Sequence, residues 1–380
     1  MRQVAILGVG QTPVREHWSL SLRDLAVAAG RTAMEDAGLE KVDAIYVGNM
    51  TSGSLNQQRH LGALVADFLG QKGVEAVKME AACGSAGSAM RQGILAVASG
   101  ELDAVLVIGA EKMTESSGSE ITAALTGAAD ADFEVIHGVT FVSLNALVMR
   151  RYMHQYGYQH EDFAPFALNA HANGARNPNA LFQRPISQKE YETGRKVAEP
   201  IKLYDASPVG DGAAALLLVP ANKAPQAIRV LGSASSTDTL GVHDREDPLW
   251  LAAAEKSANR AFAQAGIGQE DVDLFEAHDA FSIMAALSLE ACGFAERGQG
   301  VRLAQEGAIL PSGRIPISTM GGLKARGHPV GATGLYQLVE ATLQLRGSAG
   351  EAQIDGVSTA LTQNIGGSGA TIVAHVLQKP

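Results

Sequence analysis

Ten short apolar runs alternate along this chain with alanine-rich stretches of helical character, and that alternation restricts the fold more than any other feature. The runs fall at residues 4–8, 42–48, 74–79, 104–109 and 213–219, then at 228–233, 272–277, 315–318, 356–361 and 370–376. Strands separated by helices predict parallel sheets with helices on their faces, an α/β fold. Between the two sets lies a different stretch, residues 114–204. It carries polar helices, the breaks Asn177-Pro178 and Arg184-Pro185, and most of the tyrosines. It is neither low-complexity nor charge-blocked, so it reads as an excursion inserted before a closing strand rather than a linker.

The two sets are copies of one plan. Ala37-Gly38 followed by Val42-Asp43 recurs as Ala265-Gly266 followed by Val272-Asp273, and Gly84-Ser85-Ala86-Gly87 recurs as Gly331-Ala332-Thr333-Gly334. The offsets are 228–230 and 247, in the same order, which marks a duplicated α/β half with a short insertion. A site formed between such halves draws residues from both.

Composition removes several function classes. With 30 Lys+Arg against 40 Asp+Glu the formal charge is −10, the wrong sign for binding nucleic acid or for adhering to an anionic membrane. The longest apolar run, residues 213–219, is far shorter than the ~20 residues a membrane span needs. Two cysteines make no disulfide framework and fit a reducing compartment. The first residues, Gln3-Val4-Ala5-Ile6-Leu7, read as a strand and lack a signal-peptide layout, so a cytoplasmic location is expected.

Four segments carry chemistry. Cys83, in Ala81-Ala82-Cys83-Gly84-Ser85-Ala86-Gly87, falls after a strand and before a helix. Small neighbours permit a tight turn that presents the side chain, and the helix N-terminus favours thiolate over thiol. A buried cysteine acting as a small hydrophobe is the alternative. Cys292, late in a helix, reads as core. His278, in Phe275-Glu276-Ala277-His278-Asp279-Ala280-Phe281, ends a strand at the carboxyl edge of a sheet, where α/β sites form. His328 lies in the glycine-rich run from Gly321 to Gly334, just before Pro329 and a helix that could receive an oxygen of a ligand. A tight turn with a capping histidine is the alternative there. His17, His60, His154, His160, His171, His243 and His375 read as surface or packing, and His137 is undecided. The last glycine-rich turn, Thr362-Gln363-Asn364-Ile365-Gly366-Gly367-Ser368-Gly369, predicts a hairpin with a backbone N–H nest. No metal-ligand spacing and no dinucleotide or Walker-type loop is present.

These segments, in this order, resemble the thiolase superfamily over essentially the whole chain. The resemblance implies a five-layered αβαβα sandwich of two duplicated halves with an inserted loop domain. The division is then 1–113 plus 205–222 for the first half, 114–204 for the loop domain and 223–380 for the second half. It implies that Cys83 takes up an acyl group from a coenzyme A thioester, and that His328 activates the thiol and later holds the thioester oxygen of a second acyl-CoA. The N–H groups of Cys83 and Gly366 would form the oxyanion hole of the acyl-enzyme. No tightly bound cofactor and no metal is implied. A homodimer or tetramer is, and archaeal-type thiolases suggest a complex with a condensing synthase and an OB-fold zinc-ribbon protein.

Two departures stand out. Where most thiolases have Asn-Glu-Ala-Phe this chain has His278-Asp279-Ala280-Phe281, similar to the sterol-carrier-protein and archaeal types, in which the histidine joins the enolate oxyanion hole. Where most have a second catalytic cysteine in Cys-x-Gly, this chain has Asn364-Ile365-Gly366. Either proton transfer then falls to His278 or His328, with Asn364 in support, or the chain is a slow or specialised member. The expected activity is acetyl-CoA C-acyltransferase, making or cleaving a 3-oxoacyl-CoA such as acetoacetyl-CoA. The alternatives are a decarboxylating condensing enzyme, which also uses a Cys-His-His set, and a thiolase-fold subunit that needs a partner.

Overall fold

The computed structural model describes residues 2–380. Its strands are β1 (Val4–Gln11), β2 (Ala44–Gly48), β3 (Glu75–Met79), β4 (Val105–Glu111), β5 (Lys196–Ala198), β6 (Ile201–Lys202), β7 (Gly212–Pro220), β8 (Ile228–Thr237), β9 (Leu274–Glu276), β10 (Thr359–Gly366) and β11 (Thr371–Gln378). The helices are α1 (Leu22–Ala37), α2 (Leu61–Phe68), α3 (Ser85–Ser99), α4 (Gly118–Thr126), α5 (Phe141–Tyr156), α6 (Ala164–Gly174), α7 (Gln188–Thr193), α8 (Ala252–Ala265), α9 (Ser282–Ala291), α10 (Gly300–Gln305) and α11 (Thr333–Arg346).

The duplication is written in the sheet order, β3-β2-β4-β7-β1-β8-β11-β10-β9. Outward from β1 the pairings run antiparallel to β7, antiparallel to β4, parallel to β2 and parallel to β3. Outward from β8 they run antiparallel to β11, antiparallel to β10 and parallel to β9. The fifth position of the second half is held by one parallel bridge, Phe275 to Ile317. The expected strand at 315–318 is therefore a single bridge. Pro316 has no N–H to give a ladder, although its carbonyl accepts from Phe275. Antiparallel pairing of β1 with β8, three residue pairs long, joins the halves.

Three hydrophobic cores define the layers. One packs α1 and α2 on the outer face of the first half. The central core sets α3 and α11 between the two halves and draws apolar residues from both, Val107 and Leu216 on one side and Leu274 and Ala360 on the other. The third packs α8 and α9 outside the second half and takes in α5 and α6. Helix, sheet, paired helices, sheet and helix make the αβαβα sandwich. The repeated Ala-Gly pairs close equivalent helices: Gly38 and Gly266, at φ 65° and 70°, end α1 and α8 in the left-handed conformation that glycine adopts without strain. Helix α1 starts at a capping box, with Ser21 Oγ accepting from Asp24 N–H. Between β4 and β7 the chain leaves the sheet to form α4 to α7 and the ribbon β5–β6. It then returns as β7, where every residue is buried.

Candidate active site

Cys83 is placed by strain and by small residues. The chain leaves β3 and turns through Ala82, which sits at φ 52°, a left-handed conformation that costs a non-glycine residue about 1–2 kcal/mol. The turn closes through Gly84 N–H to Ala81 O (2.9 Å), while Ser85 Oγ donates to Ala82 O (2.6 Å) and accepts from Ala81 N–H (2.9 Å). Helix α3 begins at Ser85, so the expected elbow between strand and helix is present.

The glycine-rich run delivers His328 from the other half. Gly321 and Gly327, at φ 109° and 106°, take conformations closed to other residues. Residues 181 and 182 donate to Arg326 O and Ala325 O, and His328 N–H donates to Pro208 O (3.2 Å), pinning the loop just before α11. His278 follows β9 by two residues and precedes α9. Its neighbour Asp279 is buried and accepts from Leu323 N–H (2.7 Å), tying the His-Asp segment to the glycine-rich run.

The three side chains line one cavity of about 360 Å³. The imidazoles of His278 and His328 stand edge to face, 5.2 Å between ring centres. His328 Nδ1 lies 2.6 Å from Thr333 Oγ1, and His278 Nδ1 lies 3.3 Å from Asn364 Nδ2. Neither Nε2 has a hydrogen-bond partner among the described residues, and Cys83, His278 and His328 are the only titratable side chains on the cavity wall. The rest of the wall is largely apolar: Ile121 and Leu125 from α4, Phe141 and Val142 from α5, Met284 from α9 and Ile365 from β10.

The terminal turn enters the site one residue later than expected. The hairpin β10–β11 is present, but Gly366 still belongs to β10, where a Cβ would run into Ala81 O, and it does not line the cavity. Gly367, at φ 63°, does, on the same cavity wall as Cys83.

Electrostatics overturn one expectation. Burial of the sulfur and then the carboxylates of Glu111 and Glu80 push the Cys83 thiol up to about 12, against the N–H groups of Cys83 and Gly367 that favour thiolate. The resting residue is a thiol, because desolvation of the anion outweighs the helix N-terminus. Burial holds both histidines neutral: His328 is pushed down to about 3, with Arg326 contributing, and His278 falls well below its usual range through burial and then through His328 and Arg326. The Arg326 guanidinium is fully buried, 3.4 Å from Glu340 and over the Tyr336 ring.

The remaining histidines stay outside the cavity. His137 is exposed. His160 stacks on Tyr191 and pairs with Asp205 at 2.6 Å, His171 stacks on Phe182, and His375 is buried in β11. Cys292 caps α9 and is buried, as expected. Two participants escaped the sequence reading. Thr333 was visible only as a hydroxyl five residues after His328. Glu111 ends β4 and accepts five hydrogen bonds from Asn49, Met50, Thr51 and Gly331, clamping one half to the other beside the site. No group of three or more potential metal ligands occurs among the described residues, and no described helix is long and apolar enough to cross a membrane.

Similarity to known proteins agrees with this geometry. Residues 4–222 match the family "Thiolase, N-terminal domain" and residues 234–379 match "Thiolase C-terminal domain-like". The chain is 42% identical to an acetyl-CoA acetyltransferase of Methanothermobacter thermautotrophicus over the full length of both. It is 30% identical to the benzoylsuccinyl-CoA thiolase subunit BbsB of Thauera aromatica, covering 97% of this chain and 95% of that one. Among solved structures, an Ltp2-ChsH2(DUF35) aldolase superposes with a TM-score of 0.88 at 25% identity, covering 99% of this chain and 98% of the other. With the duplicated sandwich, the cysteine elbow and the paired histidines converging on one cavity, the chain belongs to the thiolase family.

Proposed function

We propose that this protein is an acetyl-CoA C-acyltransferase that makes or cleaves a 3-oxoacyl-CoA, acetoacetyl-CoA being the substrate of choice, through an acyl group carried on Cys83. The observation that carries the reading is the meeting of Cys83 with two neutral histidines in one apolar cavity. A thiol pushed up to about 12 is almost entirely protonated at neutral pH, so it needs a base at the moment of attack. A neutral imidazole is that base. Sγ attacks the thioester carbonyl while its proton passes to a histidine Nε2, and the departing coenzyme A sulfur takes that proton away. The developing oxyanion is received by the N–H of Cys83 and the N–H groups of the Gly366–Gly367 turn. His278 and His328 then serve the carbon–carbon step, with Asn364 behind them.

The apolar wall from α4 and α5 supports assigning residues 114–204 as a loop domain that closes over the thioester, between a first half of 1–113 plus 205–222 and a second half of 223–380. A homodimer or tetramer in the cytoplasm is the accompanying expectation. A second reading, that the chain works with a partner, is favoured by one observation: two of the similar proteins are described as a thiolase subunit and as an Ltp2-ChsH2(DUF35) aldolase. A condensing synthase and an OB-fold zinc-ribbon protein are the partners to try.

The test is mass analysis of the tryptic peptide 79–91, whose one cysteine is Cys83, after brief incubation with acetyl-CoA, acetoacetyl-CoA or malonyl-CoA. An acetyl adduct from acetoacetyl-CoA with coenzyme A-dependent turnover is expected. Consumption of malonyl-CoA with release of CO₂ moves the assignment to a decarboxylating enzyme. An unmodified peptide in all three cases leaves a subunit that needs its partner.

A further inference from the structure

Asn364 stands behind His278, and its three contacts leave its amide one orientation. Oδ1 accepts from Gly87 N–H (3.2 Å), while Nδ2 lies 3.0 Å from Cys83 O and 3.3 Å from His278 Nδ1. Turning the amide over would press oxygen against the Cys83 carbonyl and set an NH₂ against the Gly87 N–H, two repulsive contacts in a buried site. The NH₂ therefore faces both Cys83 O and His278 Nδ1. An imidazole nitrogen that faces a donor must be the acceptor, and a neutral imidazole with Nδ1 unprotonated carries its proton on Nε2. Space for this amide is made by Gly87 and Gly334, equivalent members of the two repeats: a Cβ on either would collide with the Asn364 side chain.

We propose that Asn364 is a positioning residue that locks His278 as its Nε2–H tautomer, so that His278 acts only as a hydrogen-bond donor to the thioester oxygen and His328 is the sole base for both proton transfers. The assignment of His328 follows by elimination, since Cys83 is occupied by the acyl group and, among the described residues, no fourth titratable side chain lines the cavity. This deepens the proposed acyl-transfer reading and rests on it. The carbon–carbon step balances with one base. His328 Nε2 removes a Cα proton from the second acyl-CoA, and the C–H pair becomes the enolate, whose oxygen His278 Nε2–H receives. The enolate carbon bonds to the acyl carbon on Cys83, the C–S bond to Cys83 breaks, and the departing sulfur takes the proton from His328. In this account an amide has replaced a second acid/base, and a fixed donor has replaced a titrating one.

Nitrogen NMR of the full-length protein with ¹⁵N-labelled histidine rings, His278 being assigned by its disappearance in His278→Gln, reads the tautomer without perturbing Asn364. A pyridine-type Nδ1 and a pyrrole-type Nε2 are expected; the reverse pattern overturns the proposal. Asn364→Asp supplies the kinetic arm, because a carboxylate accepts from Nδ1–H and reverses the tautomer. Thiolysis and condensation should fall at least about 100-fold, the effect of losing one oxyanion donor, and by clearly more than acetylation of Cys83 by acetyl-CoA, which the new carboxylate facing Cys83 O also slows. Equal losses in both steps overturn the proposal. If the native Cys83 is not acylated at all, the thiolase reading fails while the NMR arm still reports the tautomer. If it is acylated and Nδ1 carries the proton, the inference alone fails.

Discussion

Glu111→Gln should separate what the carboxylate does for the fold from what it does to the thiol. Oε2 of Glu111 accepts from Met50 N–H (2.9 Å) and Gly331 N–H (3.0 Å); Oε1 accepts from Asn49 Nδ2 (2.8 Å), Thr51 N–H (3.1 Å) and Thr51 Oγ1 (2.6 Å). Burial raises the proton affinity of this carboxyl, and the five donors oppose it. A glutamine has the same shape, yet whichever way its amide turns, its NH₂ replaces an oxygen that served at least two N–H donors. Each stranded buried N–H costs about 1–3 kcal/mol, so the substitution should cost about 2–6 kcal/mol. Against a typical total of about 5–15 kcal/mol that is a large loss, read as a lower urea midpoint. The same change removes the carboxylate that, after burial, does most to hold Cys83 in its thiol form. The pH profile of Cys83 alkylation by iodoacetamide, followed on peptide 79–91, should move to lower pH even though the fold is weaker. A native urea midpoint together with an unmoved alkylation profile would refute both halves of this reasoning.

Other outcomes follow from the same geometry. Cys83→Ala should leave peptide 79–91 unmodified by any acyl-CoA and lower turnover by on the order of 10⁴-fold or more, as measured by thiolysis of acetoacetyl-CoA. Ala82→Gly removes left-handed strain worth about 1–2 kcal/mol but adds about 0.5–1 kcal/mol of backbone entropy cost, so urea unfolding should show a small gain in stability, with lower kcat from a less firmly presented thiol. Gly334→Ala gains up to about 1 kcal/mol of helix propensity and loses about 1–3 kcal/mol to overpacking against Asn364, a net loss visible as a lower melting temperature. Acid should destabilise the protein through its buried histidines. His328 and His375 are pushed down to about 3 and His171 to about 4 by burial, so below the ordinary value of 6.5 the unfolded chain binds protons that the folded one does not. Stability is then full above about pH 6.5 and falls as the pH drops toward 4, a slope that urea titrations across this window would measure.

The sequence was readable where structure depends on local rules. Gly38 and Gly266 announced equivalent helix ends because both must be left-handed, and the small residues around Cys83 announced a tight turn. Residues 315–318 looked like a strand by hydrophobicity, yet Pro316 removes the donor that a ladder needs, and only Ile317 pairs. The thiolate expected from the helix N-terminus failed because burial and then the Glu111 carboxylate, both brought in by the fold, oppose it; only the smaller influence of Glu80 was close in sequence. His160, His171 and His375 gave no signal of burial for the same reason: their surroundings, Asp205 and Tyr191 for His160, are assembled only by the fold. The charges of the glycine-rich run were visible but not their use: Lys324 donates to Asp205 O and Arg326 faces Glu340, both deep in the protein.

The repeat offset that equates Gly84 with Gly331 also equates Cys83 with Val330, a buried residue that lines the same cavity from the second half. In engineering terms the protein owns a spare socket. A copy of the segment that presents the nucleophile already delivers another side chain to the reaction chamber from the opposite half, and at present it delivers only hydrocarbon. A functional group installed at position 330 would arrive on a scaffold that duplication has already built for that purpose.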